Sequence, residues 1–178
     1  VLGEAGVRYM LADAKRSPGK FDLGAPRRVQ ATPLETAGAK LDAKAVTRLL
    51  ARKDVLYLAE VMNVPGVLGR DPELMAMIAA AQREGKQVDG HAPGLRGEQA
   101  KAYGAAGITT DHECFTLEEG RDKLAAGMKV LIREGSAARN FKALAPLLKT
   151  DPSACMFCCD DLHPDLLVKR HLDEHVRR

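Results

Sequence analysis

The sequence predicts an α/β fold, specifically part of a metal-dependent (β/α)8 barrel, and three observations carry that expectation. First, metal-competent residues stand where short apolar runs end. Glu60 follows Val-Leu-Tyr-Leu-Ala, His91 follows Lys-Gln-Val-Asp-Gly, His112 follows Gly-Ile-Thr-Thr-Asp and Asp160 follows Cys-Met-Phe-Cys-Cys. Parallel barrel strands present their carboxyl ends at one rim, so ligands far apart in sequence can converge on one ion. Second, a βα unit takes roughly 20 to 30 residues, and the gaps between these four positions fit one, one and two units. The skipped strand is expected near Met128–Arg133. Third, strand and helix patterns alternate along the chain, which implies a parallel sheet.

The elements follow in order. Val1, Leu2, Val7, Met10, Leu11 and Ala14 recur at helical steps, so residues 1–16 read as one helix, broken by Ser17-Pro18-Gly19. Phe21–Thr32 reads as a weak strand, because Arg27, Arg28 and Gln30 sit badly in a buried parallel strand. Asp42 starts a helix with Ala43, Ala45, Val46, Leu49 and Leu50 on one face, and a strand over Val55–Ala59 follows. Met62–Gly66 reads as loop. Asp71-Pro72-Glu73 combines an N-cap, a first-turn proline and an acid near the positive end of the helix dipole, so a helix runs to Arg83 and stops at Gly85. The unit then repeats. A strand ends at Asp89, a loop covers His91–Gly97 and a helix Glu98–Ala106, and after Gly107 a strand reaches Thr110. Next come a loop over His112–Phe115, a helix over Leu117–Ala126, Gly127 and the strand Met128–Arg133. A helix near Asn140–Lys149, a strand over Ala154–Cys159 and a helix from Pro164 onward complete the pattern. With no linker or low-complexity stretch, residues 1–178 read as a single domain.

Composition narrows the function. At 178 residues, 46% hydrophobic and 29% charged, the chain is ordinary for a globular protein, yet short for a whole barrel, which takes about 250 residues. It also opens at Val1, so part of a larger protein is expected to be missing. The net charge of +3 comes from scattered basic residues, Trp is absent and aromatics are 4%. Nucleic-acid binding is therefore not indicated. No apolar run approaches membrane-spanning length and no export leader is visible, so a cytoplasmic protein without a membrane partner is expected. Cys155, Cys158 and Cys159 crowd into one strand pattern, where Cys-x-x-Cys reads as buried strand cysteines rather than half of a zinc or redox site. His171 and His175 lie four apart without the zincin pattern and read as a solvated helix face.

Imidazole and carboxylate at Glu60, His91, His112 and Asp160 suit zinc, iron and manganese alike. The loops after them, His91-Ala-Pro-Gly-Leu, Asp111-His112-Glu113 and Arg133-Glu134-Gly-Ser-Ala, pack charge and glycine where a plain connector needs neither. Five stretches in register, Ala59-Glu-Val-Met-Asn63, Asp89-Gly-His-Ala-Pro-Gly-Leu95, Thr110-Asp-His-Glu-Cys114, Arg133-Glu-Gly-Ser-Ala-Ala138 and Asp160-Asp-Leu-His-Pro164, resemble the adenine deaminases of the amidohydrolase superfamily.

That resemblance implies a metal-binding barrel joined to a small β-sandwich and a hydrolase that converts adenine to hypoxanthine and ammonia. It implies that Glu60 bridges two metals, that His91 and His112 bind the second, and that Asp160 both ligates and moves protons. Arg133, Glu134 and Ser136 resemble a motif that binds the purine edge. Glu113 and Asp161 are secondary candidates for proton transfer, and His163 for orienting the Asp160–Asp161 turn. The metal expected is Mn2+ or Fe2+, with Zn2+ as a further candidate. The His-x-His of the family's first strand is absent here, so strands three to eight are represented, and strands one and two and the β-sandwich are not. Arg27, Arg28, Cys159 and Arg170 depart from the family's usual residues. A homo-oligomer or a complementing chain supplying the missing strands is one expectation. An inactive metal-binding fragment, or a relative acting on another cyclic amidine or amide, remain alternatives.

Overall fold

A computed structural model describes residues 2–27, 38–169 and 171–177. They form two compact units, the first made of the described residues up to 90 with 106–108, the second of 91–105 and the described residues from 109 onward.

The first unit is built from α1 (Gly3–Ala14), β1 (Gly24–Pro26), α2 (Ala43–Leu50), β2 (Tyr57–Val61), α3 (Val64–Leu68), α4 (Pro72–Arg83) and β3 (Gln87–Gly90). β1 pairs with β2 and β2 with β3, both in parallel. The helix starts are those expected. Asp42 and Asp71 accept from the backbone N–H of Ala45 and Leu74, satisfying donors that the first turn leaves open. Gly85, at φ +66°, ends α4 in the left-handed region. Val46, Leu49 and Leu50 of α2 and Ile78 and Ala81 of α4 are buried, as are Leu58 and Val61 of β2 and Val88 of β3.

Three sequence expectations shift in this unit. The strand expected to end at Ala59 runs to Val61, so Glu60 lies within β2, where the register against β3 is irregular between Leu58 and Val61. The stretch expected as loop holds α3, because Asn63 accepts from the Gly66 N–H and Pro65 pre-sets the first turn. Of the weak strand expected over Phe21–Thr32, the described residues 21–27 hold β1. Arg27, just past β1, is nonetheless buried, while Arg28 and the rest of that stretch lie outside the described residues.

The second unit holds α5 (Gly97–Ala105), β4 (Thr110–Asp111), α6 (Leu117–Ala125), β5 (Lys129–Arg133), α7 (Phe141–Leu144), α8 (Leu147–Thr150), a 3-10 turn at Pro152–Ala154, β6 (Cys155–Cys158), α9 (Pro164–Leu167) and α10 (Leu172–Val176). β4 pairs with β5 and β5 with β6, again in parallel. Each unit therefore shows the strand–helix–parallel-strand order of an α/β fold, as expected for part of a barrel. The core of the second unit gathers Cys114, Val130, Ile132, Leu144 and Leu147, and Phe141 and Phe157 stack beside it at 6.1 Å.

The single helix expected over Asn140–Lys149 is two, because Pro146 cannot donate a backbone bond within a helix interior. The helix expected from Pro164 onward is likewise split into α9 and α10, and Arg170 lies outside the described residues. His171 stands exposed at the start of α10, as expected, whereas His175 is buried, so the pair is not a solvated face. The cysteines of the β6 run are half-buried rather than buried, and all four cysteines are free thiols. Among the described residues no helix is long and apolar enough to cross a membrane.

Cys114 supplies a direct test of the second core. Burial pushes its thiol up to about 12, with the Lys123 charge pulling the other way. Iodoacetamide at about pH 8 is expected to modify Cys155, Cys158 and Cys159 while Cys114 stays unreacted until the chain unfolds, because the thiolate is the nucleophile. Peptide mass mapping of the folded chain would read this, and early labelling of Cys114 would contradict the packing.

Candidate metal centre

The second unit brings five expected site residues together beyond the ends of β4, β5 and β6. The rings of His91 and His112 meet edge to face at 5.3 Å. Glu113 Oε1 lies 3.5 Å from His91 Nδ1 and 3.5 Å from His112 Nε2, and Asp160 Oδ2 lies 4.0 Å from the same His112 nitrogen. His112, Glu113 and Asp160 each offer a ligand atom within 4.8 Å of the other two. One imidazole with two carboxylates, and a second imidazole alongside, is a donor set that suits a divalent first-row ion. His112 and Glu113 are buried, whereas the Asp160 side chain is 33% exposed. The cluster therefore opens to solvent on the Asp160 side.

Arg133, at the end of β5, runs into the same cluster. Its Nη1 donates to Glu113 Oε1 and to Asp160 Oδ2, and Nη2 donates to Glu113 Oε2 at 3.0 Å. The fork of a guanidinium matches a carboxylate in this two-pronged way. Burial alone would lower the pKa of Arg133, but the bonds from Glu113 and Asp160 outweigh it and hold the pKa above the ordinary arginine value. Arg133 thus reaches two carboxylates of the cluster and is itself only 4% exposed.

The peptide of Arg133 is fixed as carefully as its side chain. Asn140 accepts from the Arg133 N–H at 2.6 Å and donates to the Cys114 carbonyl at 2.8 Å, so one buried amide links the ends of β5 and β4. Glu134, also buried, accepts from the Phe141 N–H at 3.2 Å. Ser136 donates its backbone N–H to the Asp161 carbonyl at 2.8 Å, and its hydroxyl accepts from the His163 N–H at 2.7 Å. In this arrangement Ser136, Asp161 and His163 tie the loop after β5 to the loop after β6. Asp160 sits between these ties at φ +52°. A left-handed backbone is uncommon outside glycine and least costly for Asp or Asn.

Lys123, which sequence reasoning did not single out, and Asp111, which it named only within a charged loop, complete the site's support. Asp111 and Lys123 are fully shielded from solvent and joined at 2.6 Å. The signal was present: Lys123 stands three residues after Gly120 and six after Leu117 on the inward face of α6, where a lysine is out of place unless paired. Glu60, by contrast, belongs to the first unit. There it lines a cavity of about 250 Å³ with Arg27, Tyr57, Met62 and Asp89. Burial, then Asp89 and Glu60, raises the pKa of the Tyr57 phenol.

Comparison with known proteins places the chain. No family model matches it. It is 56% identical over its full length to a protein of Salinibacter ruber named adenine deaminase, of which it covers 33%. It is 53% identical to the adenine deaminase of Methanosarcina mazei and 54% identical to that of Sulfurovum sp., covering 32% and 33% of them. The chain is thus a partial relative of the adenine deaminases, spanning about a third of the length of the curated proteins it matches.

The tie between the two loops gives a measurable expectation. A Cβ on Gly135 would stand 2.3 Å from the Cys159 carbonyl and 2.9 Å from that of Asp161. Backbone cannot yield as a side-chain tip can, so Gly135→Ala is expected to destabilise the chain by about 1–3 kcal/mol, the usual cost of overpacking. Urea denaturation reads the change, and a midpoint equal to the parent's would show that the loops are not in contact.

Proposed function

We propose that this chain, as a partial relative of the adenine deaminases, carries the hydrolytic centre of an enzyme that converts adenine and water to hypoxanthine and ammonia. The observation that carries the reading is the cluster of His112, Glu113 and Asp160 with His91 beside it, found in a chain at least half identical to proteins of that name. His91, His112 and Asp160 would hold a divalent metal, Mn2+, Fe2+ or Zn2+, with Glu60 contributed from β2 as the sequence resemblance implies. When bound, such an ion supplies Lewis acidity at the hydrolytic centre.

The chain's own residues account for the proton movements. Water adds at C6 of the purine, and Asp160, the solvent-facing carboxylate of the cluster, takes a proton at Oδ2. Passing that proton to the amino group lets the C6–N6 bond break and ammonia leave. The second water proton moves from the oxygen on C6 to N1, which took up the C6–N1 π pair on addition, and the oxygen remains as the C6 carbonyl. Glu113, between the two imidazoles, is the second group able to hold a proton, with Asp161 next in reach. Arg133 keeps Glu113 and Asp160 oriented by forked hydrogen bonds, and Glu134 and Ser136 shape the floor against which the purine edge would lie. Adenine is the small-molecule partner in this reading, in the cytoplasm, and a second polypeptide or the rest of a longer protein would complete the barrel.

A second reading keeps the metal and loses the chemistry. It is favoured by one fact, that the chain spans about a third of its relatives. In that case the chain binds an ion and turns nothing over.

Ammonia release from adenine, after reconstitution with Mn2+, Fe2+ or Zn2+, separates the two. Turnover is expected with metal, lost in His91→Ala, and lowered about 100- to 10,000-fold in Asp160→Asn, the range of general acid–base contributions. Metal uptake without ammonia from the folded chain would favour the second reading. Equal turnover in His91→Ala would refute the site.

A further inference from the structure

The pair Asp111 and Lys123 takes no part in the proposed chemistry, yet both are wholly buried, and besides bonding each other they bond the site's backbone. Asp111 Oδ2 accepts from the Ala92 N–H at 2.9 Å, and Oδ1 accepts from the Glu113 N–H at 2.8 Å. Lys123 Nζ donates to Asp111 Oδ1 and to the Ala92 carbonyl, both at 2.6 Å. Ala92 is the residue after His91, and Glu113 is the residue after His112. The peptides carrying the two imidazoles are therefore fastened to one carboxylate. We infer that Asp111 and Lys123 are positioning residues, which hold the backbone beside His91 and beside His112 in one fixed geometry so that both rings address a single ion.

Four further bonds to α6, and one to Tyr103 of α5, hold the same two loops. Glu119 accepts from the Gly94 N–H at 3.3 Å and from the Phe115 N–H at 3.1 Å, so a second carboxylate spans the same two loops. Asp122 accepts from the Gly97 N–H at 3.0 Å and from Arg96 at 2.8 Å. Tyr103 adds a hydroxyl that accepts from the His91 N–H at 3.2 Å. Glu119, Asp122 and Lys123 thus come from one helix and grip the loop 91–97 at Gly94, Gly97 and Ala92. A buried ion pair is weak evidence for stability, since apolar residues of similar volume often serve as well. What apolar residues cannot do is accept from two loop amides while donating to a loop carbonyl.

The inference rests on the proposed metal site, and the test keeps the two apart. In the unaltered chain, the amides of Ala92 and Glu113 lie in loops, yet they are expected to exchange with deuterium as slowly as those of β5. Fast exchange of either would overturn the role, whatever the metal result. The double variant Lys123→Met/Asp111→Leu replaces the pair by apolar side chains. Its melting temperature is expected near the parent's, while Mn2+ affinity, followed by electron paramagnetic resonance, falls about 10- to 100-fold, as when outer ligand partners are removed. Recovery of both stability and affinity would reduce the pair to a structural one and overturn the inference. If the parent binds no Mn2+, the metal reading fails by itself. The pair is then judged by amide exchange and by the cross-relaxation between the His91 and His112 rings, which the double variant should lose and which its retention would refute. If the double variant does not fold, the exchange measurement on the parent decides.

Discussion

Lys123 and Asp111 have no access to water, and an ion removed from water without a partner costs several kcal/mol. That constraint fixes more than the pair. Once the ammonium must meet the carboxylate, the remaining lone pairs and protons must also be satisfied, and the peptides following β3 and β4 supply bonds for them. The same logic operates one layer outward, where a buried guanidinium on β5 meets Glu113 and Asp160. The second unit thus holds one buried ion pair and one guanidinium shared by two carboxylates, and the loops take the shapes that complete them.

This arrangement links local sequence to chemistry in a short chain of causes. A two-residue strand such as β4 has little ladder of its own to hold it. Its end is fixed instead by side chains, with Asp111 anchored by Lys123 from one side and the Cys114 carbonyl anchored by Asn140 from the other. His112 and Glu113 lie between those anchors, so the residues that offer ligand atoms are the ones whose backbone has least freedom. The apolar cluster of Cys114, Val130, Ile132, Leu144 and Leu147 lies under them and keeps water away from the pairs.

Much of this was legible in the sequence. The caps Asp42 and Asp71, the glycines closing α4 and preceding β4 and β5, and the alternation of strand with helix located most elements because each rests on local chemistry. The approach of His91, His112 and Asp160 was expected from the rule that parallel strands end at one rim, a rule that named Glu60 as well. What the sequence hid depended on longer-range facts. Pro146 divides a helix whose apolar periodicity continues across it, and Asn63 caps a short helix that looks like loop. His175 is buried because the fold packs over it, whereas periodicity alone put it in solvent. Lys123 lies on the inward face of α6, where only its pairing with Asp111, a residue on another element, makes a lysine acceptable. Arg133 was expected at the purine edge from its motif, and nothing local indicated that its fork would meet two carboxylates.

The left-handed backbone at Asp160 has a consequence for how this position can vary. Chemistry alone would admit glutamate or histidine as a ligand or proton carrier there. At φ +52° the Cβ of any L residue crowds the neighbouring carbonyl, a cost that asparagine, the isostere that removes the charge, offsets through its short polar side chain and that glutamate does not. The backbone therefore filters substitutions before catalysis does. Drift toward Asn or Gly at this position would mark a chain that kept its fold and shed its proton chemistry, whereas a β-branched residue would mark one whose loop after β6 had been rebuilt.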